Sequence, residues 1–212
     1  MDNIYDAGRS IYTRHPKISG DFVNWLNELF TALALGDQIN LMGLSYGGWL
    51  TSQYTLRFSE RLNRAVLLAP GATVLPISAE LMIRGFLGLV HRRFFRSFLY
   101  WLFADWVHRD ENGRREVEEF ADDTLMAYRC FKPKAAVGMT VLTDKELQSL
   151  KVPTLYLEGE HEKTYSARKA VQRLKTVAPQ IRTEIIPHAG HDLVVVQAET
   201  INRKVLEFLK QP

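Results

Sequence analysis

One serine, two carboxylates and two histidines stand out in this chain by type and spacing. Ser45 sits in Gly43-Leu44-Ser45-Tyr46-Gly47, between an apolar run and a helix-like stretch. A serine hydroxyl is a poor nucleophile until a base takes its proton, and that base must itself be oriented by an acid. Gly159-Glu160-His161-Glu162 offers Glu160 or Glu162 as the acid, and His188-Ala189-Gly190-His191 offers His188 or His191 as the base. The parts are those of nucleophilic attack on an acyl carbon. The N–H of Tyr46, next after the serine at the positive end of a helix, can meet the negative charge such an attack creates. The spacing G-x-S-x-G at a strand-to-helix turn is a nucleophile elbow. Gly43 and Gly47 are expected to be glycine because a Cβ at either would press on the neighbouring strand or helix.

These groups can meet only if the chain brings three loops to one edge. Ile39 to Leu44 reads as a short buried strand leading into the elbow, and Trp49 to Phe58 as the helix leaving it. A helix is predicted over 20 to 35 from Phe22, Val23, Leu26, Leu29, Phe30 and Leu33, with Ser19 as N-cap and Gly36 as stop. Arg64 to Ala69 is a second strand, ended by Pro70-Gly71. Residues 72 to 149 change texture, with many aromatics and basic groups and no clear strand. Alternation returns with a strand at Val152 to Leu157, a helix over 166 to 178, a strand at Ile181 to Ile186 and a helix at Val195 to Leu209. The predicted fold class is therefore α/β, a mostly parallel sheet. Residues 1–71 and 150–212 form its core, and 72–149 form a helical cap over the sheet's C-terminal edge, where open α/β folds bind ligands. On that edge the serine, acid and histidine loops converge.

Bulk properties narrow the partners. The 212 residues suffice for one core and a small lid. A net charge of +3 is too slight to argue for nucleic acid, and the one basic aromatic run, His91 to Arg96, reads as the solvated face of a cap helix. The aromatics between 86 and 106 read mainly as cap core. The single cysteine, Cys130, is expected to be a small buried residue and suits a reducing compartment. The N-terminus carries no basic segment followed by an apolar one, and no apolar run reaches a membrane span, so a cytoplasmic location is expected. No metal or organic cofactor is called for.

With these motifs in place the chain resembles the α/β-hydrolase superfamily. The resemblance rests on Gly43 to Gly48, on Val152-Pro-Thr-Leu-Tyr-Leu-Glu-Gly-Glu-His-Glu162, on Ala189-Gly190-His191 and on Asp2 to Ser10. The order serine, acid, histidine is the one that family uses. Within it the chain is most similar to small bacterial carboxylesterases of the naproxen-esterase type. The resemblance implies Glu162 as the acid, three positions on from Gly159, and His191 as the base, in a Ser-His-Glu triad. It implies a carboxylic ester hydrolase working through an acyl-enzyme on a small apolar ester.

The resemblance also implies something absent. In that family, strands before the elbow carry a second oxyanion donor, and nothing upstream of Ser45 resembles that loop. Met1 falls where the fourth strand should be ending, so the chain reads as N-terminally truncated. It is then the product of an internal start, an inactive remnant, or a domain whose exposed sheet edge a partner or second copy covers by self-association. Other chemistry on the same triad, or a non-catalytic protein binding a ligand or partner through the cap, are the alternatives.

Overall fold

A computed structural model describes residues 16–131 and 137–211. The stretch Asp2 to Ser10 lies outside them. Helix α1 (Ser19–Ala32) precedes strand β1 (Ile39–Leu44), and α2 (Tyr46–Arg57) leads by way of a short 3-10 turn to β2 (Leu62–Leu68). Then come α3 (Ala79–Val90), α4 (Arg92–Leu102), α5 (Ala104–Arg109), α6 (Glu111–Cys130) and α7 (Asp144–Ser149). The sheet resumes with β3 (Thr154–Gly159), α8 (Ala167–Val177) and β4 (Arg182–Ile186), and the chain closes with α9 (Leu193–Val196) and α10 (Ala198–Leu209).

Among the described residues the sheet is parallel, in the order β1-β2-β3-β4. Alternate side chains on a strand face opposite ways, so β2 buries both of its faces. Leu67 joins Tyr156 and the α8 residues Ala170, Val171 and Leu174, while Ala65 packs with Val23, Phe30 and Tyr54 of α1 and α2. On the other face Val66 and Leu68 meet Leu155, Leu157 and the α10 residues Ile201, Val205 and Phe208. Every strand ends on the same edge, which therefore carries the elbow, the acid loop and the histidine loop.

The structure alters several expectations. β1 is half exposed rather than buried, with Met42 56% accessible, because it is an edge strand of the described sheet and pairs there with β2 alone. The N-cap of α1 is Ile18, not Ser19. Capping comes instead from Asp21, which accepts from the N–H groups of Lys17 and Ile18. Gly36 takes a positive φ of 69° a few residues past the helix, which suits glycine. The final helix is broken at Gln197 into α9 and α10. Cys130 is exposed, since it ends α6 on the solvent side.

Between β2 and β3 the described residues form helices. Phe95, Leu99, Val117 and Ala121 make a local core there, flanked by Phe98, Tyr100, Phe103 and Trp106. Phe86 and Phe94, also expected in a cap core, are exposed. Leu142, Leu147 and Leu150 pack with α8 in the main core. Among the described residues no helix is long and apolar enough to cross a membrane.

Candidate active site

The elbow is a tight backbone crossing. Ser45 takes φ 54° and ψ −115°, a conformation that costs a non-glycine residue of order 1–3 kcal/mol and persists only when its surroundings enforce it. They do so through three hydrogen bonds. The Ser45 N–H donates to the Leu68 carbonyl (2.9 Å), and the Ser45 carbonyl accepts from Trp49 (3.0 Å) and Gly71 (3.0 Å). A Cβ on Gly43 would lie 2.1 Å from the Gly47 carbonyl oxygen, so glycine is obligatory there. Gly47 differs from expectation, because a Cβ on it would meet nothing within 4 Å. What approaches Gly43 is the backbone of Gly47, and the second steric glycine is Gly48, whose Cβ would lie 2.8 Å from Pro70 Cβ. Tyr46 opens α2 beside the serine, its hydroxyl donating to the Val137 carbonyl at 3.0 Å.

The acid and histidine loops are laced together by backbone. Glu160 N–H donates to the Ile186 carbonyl and His161 N–H to that of Ala189, both at 2.9 Å. The crossing is so close that a Cβ on Gly159 would lie 2.3 Å from the Gly190 oxygen. This lacing sets Glu162 against His191, with Oε2 3.0 Å from Nδ1. The other oxygen of Glu162, Oε1, accepts from Lys163 (2.8 Å) and Thr164 (2.7 Å) N–H groups. The Glu162 side chain is fully buried and that of His191 is 8% exposed. Burial alone would raise the Glu162 carboxyl. The hydrogen bond and charge of His191, with the Thr164 N–H, outweigh it and hold the group below its usual range. Glu160 and His188 are exposed, and Glu160 faces Arg168 at 3.7 Å. Of the two acids and two bases weighed from sequence, the structure brings together Glu162 and His191.

Four further features escaped the sequence reading. Asp192 is buried and accepts from the N–H groups of Trp106 (2.7 Å) and Gly190 (3.1 Å), tying α5 to the histidine loop. His161 of the acid loop reaches Asp105 of α5 at 3.0 Å. Phe103 stacks on the His191 ring at 6.4 Å. The fourth is Glu158, fully buried in β3 and hydrogen-bonded to the Tyr156 hydroxyl. Tyr156 and Glu158 are two apart on one strand and so share a face, a signal the sequence did contain. Among the described residues no cluster of His, Cys, Asp and Glu has the shape of a metal site.

Known proteins share the family and fold of this chain. Residues 15–196 match the family model described as serine aminopeptidase, S33. The chain is 32% identical to carboxylesterase YbfK of Bacillus subtilis, the alignment covering 99% of the chain and 70% of that protein. It is also 32% identical to a protein of the same organism described as uncharacterized carboxylesterase nap, over 98% of the chain and 68% of the relative. The crystal structure of naproxen esterase (carboxylesterase NP) from Bacillus subtilis superposes with a TM-score of 0.84 at 31% identity, covering 98% of this chain and 72% of that one.

Proposed function

Since the chain belongs to the serine aminopeptidase S33 family of α/β-hydrolases, we propose that it hydrolyses carboxylic esters through Ser45, His191 and Glu162. The observation that carries this reading is the buried His191–Glu162 pair at 3.0 Å on the sheet edge that bears the Ser45 elbow. Ser45 Oγ attacks the ester carbonyl while His191 Nε2 takes its proton. Glu162 accepts the Nδ1–H hydrogen bond, fixes the tautomer and stabilises the ring once it is charged. The Tyr46 N–H binds the oxyanion. His191 then returns the proton to the departing alcohol, and water, activated by the same imidazole, releases the acid from Ser45.

The carboxylesterase relatives support an ester substrate, and Phe103 over His191 favours an apolar one of modest size. Residues 72–149 act as the cap, and the edge of β1, which pairs with β2 alone among the described residues, is the surface for self-association. A reducing, cytoplasmic setting fits a lone exposed cysteine. The test is hydrolysis of p-nitrophenyl butyrate by the purified chain beside Ser45→Ala. Turnover that vanishes with the serine is expected; turnover that survives its loss would sink the assignment. A folded chain with no turnover at all would favour a binding role.

A further inference from the structure

Under the acid loop runs a line of four oxygens. Glu158 Oε2 meets the Tyr156 hydroxyl, the Tyr156 and Tyr165 hydroxyls lie 3.2 Å apart, and the Tyr165 hydroxyl donates to the Pro70 carbonyl. Three contacts need three protons. Pro70 has none to give, and Tyr165 spends its own on Pro70. Tyr156 holds one proton and has two neighbours. Were it to donate to an ionised Glu158, the Tyr156–Tyr165 contact would set lone pair against lone pair. A proton on Glu158 completes the count.

We propose that Glu158 is a neutral carboxylic acid in the native protein, heading a chain of donors from Glu158 to Tyr156 to Tyr165 to Pro70, and that it is a positioning residue for Glu162. Two observations connect the chain to the site. Its far end abuts the elbow, since Gly71, next after Pro70, donates its N–H to the Ser45 carbonyl. Its near end lies close enough to Glu162 for the charge of that carboxylate to act on Glu158. The titratable groups acting most strongly on Glu158 are Glu162, Tyr156 and Tyr165, with His191 beyond Glu162. Burial first, and the charge of Glu162 second, push the Glu158 carboxyl well above its usual range. Among the described residues its Oε1 finds no donor, which a neutral acid tolerates better than a carboxylate would. A neutral Glu158 removes a second negative charge from beneath Glu162, leaving Glu162 as the ionised partner of His191.

The positioning role rests on the triad proposed above, whereas the proton on Glu158 does not. Infrared spectra of the full chain, isotope-labelled at glutamate side-chain carboxyls, read that proton directly. A glutamic-acid C=O band at neutral pH, absent from Glu158→Gln, is expected; no such band would overturn the proposal. Should the variant misfold, the wild-type spectrum still decides: a band that persists from acid to neutral pH supports the neutral acid, and a band lost before neutral pH overturns it. In turnover, Glu158→Ala is expected to lower kcat roughly tenfold with KM little changed. Glu158→Gln, a neutral donor of the same shape, should restore most of it. A Gln variant as slow as Ala, or an Ala variant as fast as wild type, refutes the role. Turnover that survives Ser45→Ala would instead sink the triad and leave the infrared result standing.

Discussion

Replacing Glu162 by glutamine tests the proposed chemistry without changing the shape of the site. In the native arrangement Oε1 accepts from two backbone N–H groups, Lys163 and Thr164, and Oε2 faces His191 Nδ1. A glutamine must choose which end to turn each way. With its NH2 toward the two N–H groups it would strand two buried donors at about 1–3 kcal/mol each. With its oxygen there, both are satisfied, and the NH2 faces Nδ1. The second orientation therefore wins by several kcal/mol. An NH2 donating to Nδ1 requires a lone pair at that nitrogen and so puts the ring proton on Nε2, where the base needs to be free. The corresponding change in a serine protease triad costs ~10⁴ in kcat, about 5 kcal/mol of barrier. Glu162→Gln is thus expected to lose on the order of 10⁴ in kcat toward p-nitrophenyl butyrate while folding normally, as judged by circular dichroism and urea denaturation. Glu160→Gln, whose carboxylate faces solvent and Arg168 at 3.7 Å, should be as active as wild type. A Glu162→Gln enzyme retaining more than about a tenth of its activity, or a Glu160→Gln enzyme losing it, would refute the reasoning.

Other perturbations separate the same ideas. Gly43→Ala puts a methyl 2.1 Å from a backbone oxygen and is expected to prevent folding or cost several kcal/mol, whereas Gly47→Ala meets open space and should stay within about 1 kcal/mol of wild type in urea titrations. Met42→Lys, on the exposed face of the edge strand, should leave the monomer folded and abolish any dimer seen by sedimentation. For pH, burial raises the Glu162 carboxyl, but His191 and the loop N–H groups win and its folded pKa is depressed. Its contribution is complete above the usual glutamate range and is lost as pH falls through the depressed folded value. Thermal melting of Glu162→Gln should therefore depend less on pH than wild type at the acid end; parallel curves would count against the ion pair.

How much of this was legible in the sequence depends on what each residue's signal reports. The strand Ile39–Leu44 was read with its observed ends, because an apolar run closed by an elbow of glycines is a local pattern. Motif order put an acid loop and a histidine loop on one edge of a parallel sheet, and the family resemblance, not spacing, singled out Glu162 and His191 as the pair that meets there. The exposure of Met42 was not, because alternation tells how a strand is faced only when both its neighbours are known. Cys130 was misjudged for a related reason: small apolar residues are commonly buried, but the last turn of α6 faces solvent. Glu158 was hidden by its strand. A buried run reads as uniformly apolar, so a carboxyl within it looks like the start of the next loop until Tyr156 and Tyr165 are seen beside it.

The lacing of the acid and histidine loops has a kinetic side. Glu162 and His191 are only 29 residues apart and hang on β3, α8 and β4, a single strand–helix–strand unit whose loop closes at modest entropic cost. Ser45 belongs to a different part of the chain and joins only when β2 seats against β3. The proposed acid–base couple can therefore form early and the proposed nucleophile arrive late. Pulse-labelled hydrogen exchange should find the Glu160 and His161 amides protected before that of Ser45.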